Sequence, residues 1–204
     1  STLSPSSAAS DVYKRQVLIV DASWEGGASR LLLGNFPPPY LRDVLTGNNG
    51  VEESILKCKR ELPKIGEIHF YIIPNLGLLP RIDLSHFVQR IKRFEKYFDF
   101  VIFDLPAYQD KWFENFLMYS DYIVKVAEPN LMSFSALASI PDYDNPVVYV
   151  LNQPRFYSKN HVKQFVEDVT EKFSPHVYVF PYEPVIPMLS PANAGVVLSS
   201  LSKE

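Results

Sequence analysis

Two stretches decide the fold: Val17–Gly34, VLIVDASWEGGASRLLLG, and Phe98–Pro106, FDFVIFDLP. Each contains a continuous run of β-branched and aromatic residues, Val17–Val20 in one and Phe100–Phe103 in the other, and each run stops at an aspartate, Asp21 or Asp104. Continuous rather than alternating apolar runs are how strands buried on both faces of a parallel sheet read. Ile68–Ile73, Tyr122–Val126, Val147–Leu151 and Val177–Phe180 extend the pattern. Helical periodicity lies between them. Leu84–Tyr97 places Leu84, Phe87, Val88, Ile91 and Phe94 on one stripe, and Asp83 or Ser85 can cap its start. Asn160–Phe173 carries Val162, Phe165, Val166, Val169 and Phe173 on its apolar face. Val51–Cys58, behind the turn Gly47-Asn48-Asn49-Gly50, reads as a short Lys-bearing helix, and Trp112–Met118 and Leu131–Ala138 as two more. Strands alternating with helices predict one α/β domain of three layers around a mostly parallel, doubly wound sheet.

In such a sheet, ligands bind beyond the carboxyl ends of the strands. Asp21, Asp104, Asn152 and the segment Pro181-Tyr182-Glu183 follow four of the runs. Any one of them alone is better explained as a turn residue. Together, two carboxylates and an amide on one edge suit a hydrated Mg²⁺ and a nucleobase, because Mg²⁺ is held by oxygen ligands and substrate phosphates.

Composition narrows the field. Hydrophobic residues make up 47% and charged residues 21%, and the net charge is −3, which excludes a disordered chain, a basic nucleic-acid arm or an acidic tail as the main theme. The single cysteine, Cys58, excludes an internal disulfide framework and a cysteine zinc cluster, and reads as a packing residue. No apolar run approaches the ~20 residues of a spanning helix. His69, His86, His161 and His176 show no metal-binding spacing, and there is no GxSxG elbow. Basic patches at Lys57–Lys64 and Arg90–Lys96 are interspersed with acidic residues, which argues against DNA as a partner.

Residues 1–16, STLSPSSAASDVYKRQ, lack apolar periodicity and an h-region. Asp11–Gln16 back-translates to the transposon end used in sequencing libraries, and Ser6–Ser10 to the adapter before it. The segment is therefore read as a disordered, adapter-derived artefact, and the genuine domain as residues 17–204. Seven of the eight glycines fall at or before Gly77, and none of them forms GxxxxGK[ST].

At the strand ends a family resemblance emerges. Val17–Gly34 resembles the VLLVDxDPQGNxSxxLG segment of MinD/ParA-type P-loop ATPases, and Tyr40–Ile55, YLRDVLTGNNGVEESI, resembles the stretch that follows it. Phe98–Pro106 resembles the family's Walker B phrase. Ser120–Ser133, SDYIVKVAEPNLMS, Val148–Gln153, VYVLNQ, and Phe180–Glu183, FPYE, are similar to its later phrases, in order and spacing.

The resemblance implies a SIMIBI-type fold lacking its first strand, P-loop and first helix. It implies ATP and Mg²⁺ as cofactors, with Asp104 holding the metal through water and Asp21 near the metal and the attacking water. Asn152 would contact the adenine, supported by the backbone at Pro181 and Tyr182, and Leu105–Tyr108 would be the switch. Ser23 stands where the family has a second, catalytic acid, which places hydrolysis in doubt. The implied protein is a cytoplasmic, bacterial positioning ATPase that forms an ATP-sandwich homodimer and answers to an activating partner in partition, division-site or pilus machinery. DLPAYQDKW and EPNLMSFSAL are similar to the pilus-assembly (CpaE/TadZ-like) branch. The alternatives are a non-catalytic scaffold of the same fold and a metabolic enzyme of the same superfamily. The Val196–Leu198 run is too short and too poor in Lys and Arg for a membrane-targeting amphipathic helix.

Overall fold

The computed structural model describes residues 16–24, 26–62, 66–106, 111–141, 143–152, 158–172 and 177–180. The chain divides into two compact units, with the boundary between residues 108 and 109.

The first unit is built on a four-stranded sheet. Its elements are β1 (Val17–Asp21), α1 (Gly27–Leu33), α2 (Leu41–Leu45), β2 (Leu56–Leu62), β3 (Gly66–Ile73), α3 (Ser85–Lys92) and β4 (Phe100–Asp104). The strand order is β2-β3-β1-β4. β1 runs parallel to both neighbours, with Leu18 opposite Tyr71 on β3, and Val17 through Asp21 opposite Phe100 through Asp104 on β4. Leu18, Val20, Ile72 and Ile73 are wholly buried and form the centre of this core. Phe87, Val88 and Ile91 of α3 are buried too, as the stripe predicts. The N-cap of that helix is Leu84, which makes no side-chain cap bond; Asp83, one residue earlier, accepts from the Ser85 N–H at 2.8 Å. The helix ends at Lys92, short of the predicted Tyr97, because the chain tightens there into i→i+3 bonds, Phe94 N to Ile91 O and Tyr97 N to Phe94 O.

The predicted helix Val51–Cys58 is not formed. A single 3₁₀ turn, Glu52–Ser54, leads into β2, which pairs antiparallel with β3. Leu56-Lys57-Cys58-Lys59 alternates at the period of a strand, and Cys58 packs inward against Phe70 and Ile72. Its expected packing role survives on a different element.

The second unit is a three-stranded parallel sheet in the order β5-β6-β7, comprising β5 (Ile123–Ala127), β6 (Val147–Asn152) and β7 (Val177–Phe180). It carries α4 (Glu114–Met118), α5 (Leu131–Ala138) and α6 (Lys159–Lys172). Ala127, Phe134, Tyr149 and Leu151 make its core, with Phe165 and Val166 of α6 packed against them. Asn130 caps α5 through its side chain, which accepts from Ser133 N at 2.8 Å. Lys125 is buried on β5, where its ammonium donates to Ile140 O at 2.7 Å and faces the Tyr149 ring.

Two strands depart from the expected burial on both faces. Phe100 and Ile102 of β4 are 56% and 50% exposed, and Val124 and Val126 of β5 are 59% and 58% exposed. Among the described residues, β4 and β5 each end their own sheet. No helix among the described residues is long and apolar enough to cross a membrane.

Leu18 sits on the central strand of the first sheet with no exposure. Leu18→Ala is expected to lower stability by about 3 kcal/mol in chemical denaturation, the usual range for such a cavity.

Candidate functional site

The carboxyl end of β1 carries a fully buried carboxylate, Asp21. Its two oxygens accept four hydrogen bonds. Ser23 N and Ser23 Oγ donate to Oδ1 at 3.0 and 2.6 Å, and Ser29 N and Ser29 Oγ donate to Oδ2 at 2.8 and 2.5 Å. A carboxylate offers about four acceptor positions, so Asp21 is saturated by its own chain. The bonds tie the end of β1 to the first turn of α1. Ser23 Oγ also accepts from Gly27 N at 2.7 Å, so that hydroxyl serves the strand-to-helix turn in both directions.

Asp104 lies beside Asp21 in register on β4 and is half-buried. Ala22 N donates to its backbone carbonyl at 2.9 Å, which locks the two strand ends together. Burial first, and then the neighbouring Asp21 charge, hold the Asp104 carboxyl above its ordinary range, and a bond from the Ala28 N–H offsets this only in part. Asp104 is thus a hard oxygen donor that a cation would relieve. No cluster of three or more His, Cys, Asp or Glu able to hold a metal exists among the described residues. That donor set fits Mg²⁺ carried on one or two carboxylates, water and phosphates, and not a closed all-protein cage.

Sequence reasoning did not single out two residues here. Ser29, wholly buried, supplies half of the donors to Asp21. Asn75, also wholly buried, follows β3. Its amide nitrogen donates to Ser23 O at 2.8 Å and Gly77 O at 3.1 Å, and its backbone N–H donates to Ser29 Oγ at 3.3 Å. Asn75 Oδ1 is buried without a hydrogen-bond partner among the described residues, and flipping the amide would set that oxygen against two carbonyls. A signal was available: Asn75 lies two residues beyond the end of β3, near the strand-end position that Asp104 occupies on β4.

The structure therefore brings Asp21, Ser23 and Asp104 together. Asn152 ends β6 in the second unit, exposed and opposite Phe180. Pro181 and Tyr182 lie outside the described residues, as do residues 107–108 of the expected switch and the adapter-like residues 1–15.

Two outcomes follow from this geometry. Ser29→Ala removes a hydrogen bond to a buried charge and is expected to cost about 2 kcal/mol of stability in denaturant titration. For Asp104, whose pKa is raised on folding, the stabilising contribution is present below the unfolded pKa and is lost as pH rises through the folded one. Ionised Asp104 thus opposes folding at neutral pH. Asp104→Asn is expected to raise the thermal midpoint at pH 7, with the gain vanishing as pH falls below the ordinary carboxylate range. A midpoint at or below that of the unmutated chain at pH 7 would contradict this account.

No protein-family model and no curated relative matches the sequence. Solved structures do match. MinD in the MinC:MinD cell-division complex of Aquifex aeolicus is 20% identical, with a TM-score of 0.71 over 96% of this chain and 80% of that one. MinD of Pyrococcus horikoshii, complexed with Mg-ADP, is 18% identical, with a TM-score of 0.64 over 90% of this chain and 74% of that one. An ATP complex of a Cyanothece McdA variant is 14% identical, with a TM-score of 0.65 over 96% and 81%. The fold is that of the MinD/ParA-type P-loop ATPases.

Proposed function

We propose that this chain is the larger part of a MinD/ParA-like positioning ATPase, in which ATP drives self-association and hydrolysis releases a partner. The observation that carries the proposal is the pair of strand-end carboxylates, Asp21 and Asp104, in register on adjacent parallel strands at the edge where α/β sheets bind ligands. In this reading Asp104 holds Mg²⁺ through water. Asn152 contacts the adenine, with the backbone at Pro181 and Tyr182 beside it. Asp21 fixes the turn that faces the phosphates. ATP brings the γ-phosphate whose loss would reset the loop after β4.

The phosphate loop, its strand and its helix are assigned to residues that precede Val17 in the intact protein. The exposed apolar residues of β4 support this, since parallel sheets are ordinarily covered on both faces. A scaffold that binds nucleotide without turning it over is favoured by one detail. Ser23 carries no charge, and its hydroxyl is already engaged with Asp21 and Gly27, so it offers little to a hydrolytic water. That reading suits the pilus-assembly branch.

Calorimetry with Mg-ATP tests the assignment. The 204-residue chain is expected to bind at least about tenfold more weakly than the same chain extended by its upstream coding sequence, a difference of ~1.4 kcal/mol. In the extended protein, Asp104→Ala is expected to abolish the Mg²⁺ dependence of binding. Equal affinity of the two forms would overturn the assignment, and tight binding without phosphate release would select the scaffold.

A further inference from the structure

The loop that Asp21 and Asn75 hold in place also walls a cavity with a different character. This open pocket of about 740 Å³ is lined by Trp24, Gly27, Arg30, Arg42, Leu76 and Gly77. Its size is that of a ligand or anchor site. Of the described lining residues two are arginines and none is acidic, on a chain whose net charge is −3.

The pocket is built around the Arg42 guanidinium. A Cβ on Gly77 would come within 2.8 Å of Arg42 Nη1, and Gly77 adopts φ +98°, so the glycine both makes the turn and leaves room for the charge. Arg42 stands 5.5 Å from the Tyr40 ring centroid. Its approach to Asp43 is long, 3.7 Å, and Asp43 is committed to Tyr40 N at 2.8 Å. Arg30, exposed on α1, has no acidic partner among the described residues. Trp24 is 53% exposed at the rim. Exposed Trp beside Arg is the composition of interface hot spots.

The pocket's remaining donors decide the ligand. The glycine amides are already spent, with Gly27 N on Ser23 Oγ and Gly77 N on Trp24 O, both at 2.7 Å. Phosphate sites draw on clustered backbone N–H groups. Here the guanidinium forks carry the recognition; they match carboxylate and phosphate alike in bidentate fashion, and with both glycine amides spent the planar carboxylate, which needs no backbone cradle, is the better fit. We propose that this pocket docks an acidic segment of a partner protein, with one Asp or Glu carboxylate between Arg30 and Arg42 and an apolar neighbour on Trp24. The proposal does not rest on nucleotide binding, since none of the six lining residues is assigned to the nucleotide.

The test pans a random dodecapeptide phage library against the full 204-residue chain, with counter-selection on Arg30→Gln/Arg42→Gln. Enriched peptides are expected to share an Asp or Glu beside Leu, Phe, Tyr or Trp. In a Trp112→Phe background, which leaves Trp24 as the single indole, a synthetic enriched peptide is expected to change Trp24 emission saturably. Binding should weaken by about tenfold or more in the double arginine variant, in Trp24→Ala, and when the peptide's Glu becomes Gln. Both arginines are exposed, so the double variant should keep the parent's far-UV spectrum, and Trp24→Ala provides a second probe if it does not. Enrichment of neutral or basic peptides, no enrichment over the double variant, or equal binding by the Gln peptide would overturn the proposal. Inorganic phosphate or AMP binding more tightly than any peptide would also overturn it, and would make the pocket a phosphate site.

Discussion

The structure around the site depends on one buried carboxylate. Removing an ion from water costs several kcal/mol even after relaxation. Asp21 sits at the end of a central strand with no exposure, and the chain answers with two backbone N–H groups and two hydroxyls. Those four donors come from only two residues, Ser23 and Ser29, so the carboxylate dictates where both must be. Ser23 fixes the turn and Ser29 fixes the first helical turn after it. The short helix α1 has neither an acidic residue in its first turn nor a side-chain cap of its own. Its starting angle is set from below, by Asp21 through Ser29 and by Ser23 through Gly27.

Asn75 is the second point of the same frame. It grips the Ser23 and Gly77 carbonyls and so joins the turn after β1 to the turn after β3. The closeness of this join shows at Gly26, which has φ +68° and where a Cβ would lie 2.5 Å from Asn75 O. A side chain there would have to push the two loops apart. Asn75 Oδ1 shows the limit of the arrangement: the amide satisfies two carbonyls on one side, and its oxygen has no partner among the described residues on the other. One frame thus serves two surfaces, the carboxylate edge at Asp21 and Asp104 and the arginine pocket beside Trp24 and Gly77.

Much of this was legible in the sequence, and the rest failed for identifiable reasons. The runs ending at Asp21 and Asp104 announced strands, and a parallel sheet then requires their ends to share an edge. That Asp21 is saturated could not be read, because Ser29 lies eight residues on, and only folding brings it under the strand end. Asn75 reaches Ser23 across 52 residues of chain, a contact no local pattern reveals. The strand-end rule points close to it, since Asn75 lies two residues beyond β3, with Pro74 between. The helix read over Val51–Cys58 is realised only as the single turn Glu52–Ser54, and its last three residues belong to β2. The lysines that then alternate with Leu56 and Cys58 carry a period of two for only four residues, too short to outweigh that start. The Arg42–Gly77 contact joins α2 to the turn after β3, across 35 residues of chain, and no local pattern marks it.

The two carboxylates answer different demands. Asp21 has its full complement of donors and holds the frame. Asp104 is partly buried beside that charge, with the Ala28 N–H offsetting only part of the cost. A sequence selected for stability alone would place an amide at Asp104, which could accept the same bond without the repulsion. Keeping an acid there makes sense if something positive is to be held at that edge, because the energy that opposes folding in the free protein is regained on binding a cation. Ser23 lies on the other side of the same balance. A third carboxylate within hydrogen-bonding distance of Asp21 would have to displace the hydroxyl that both donates to Asp21 and receives Gly27. With serine there, the edge keeps its rigid turn and carries one negative charge fewer beside Asp21 and Asp104. On the proposed reading, such an edge holds a ligand more readily than it consumes one.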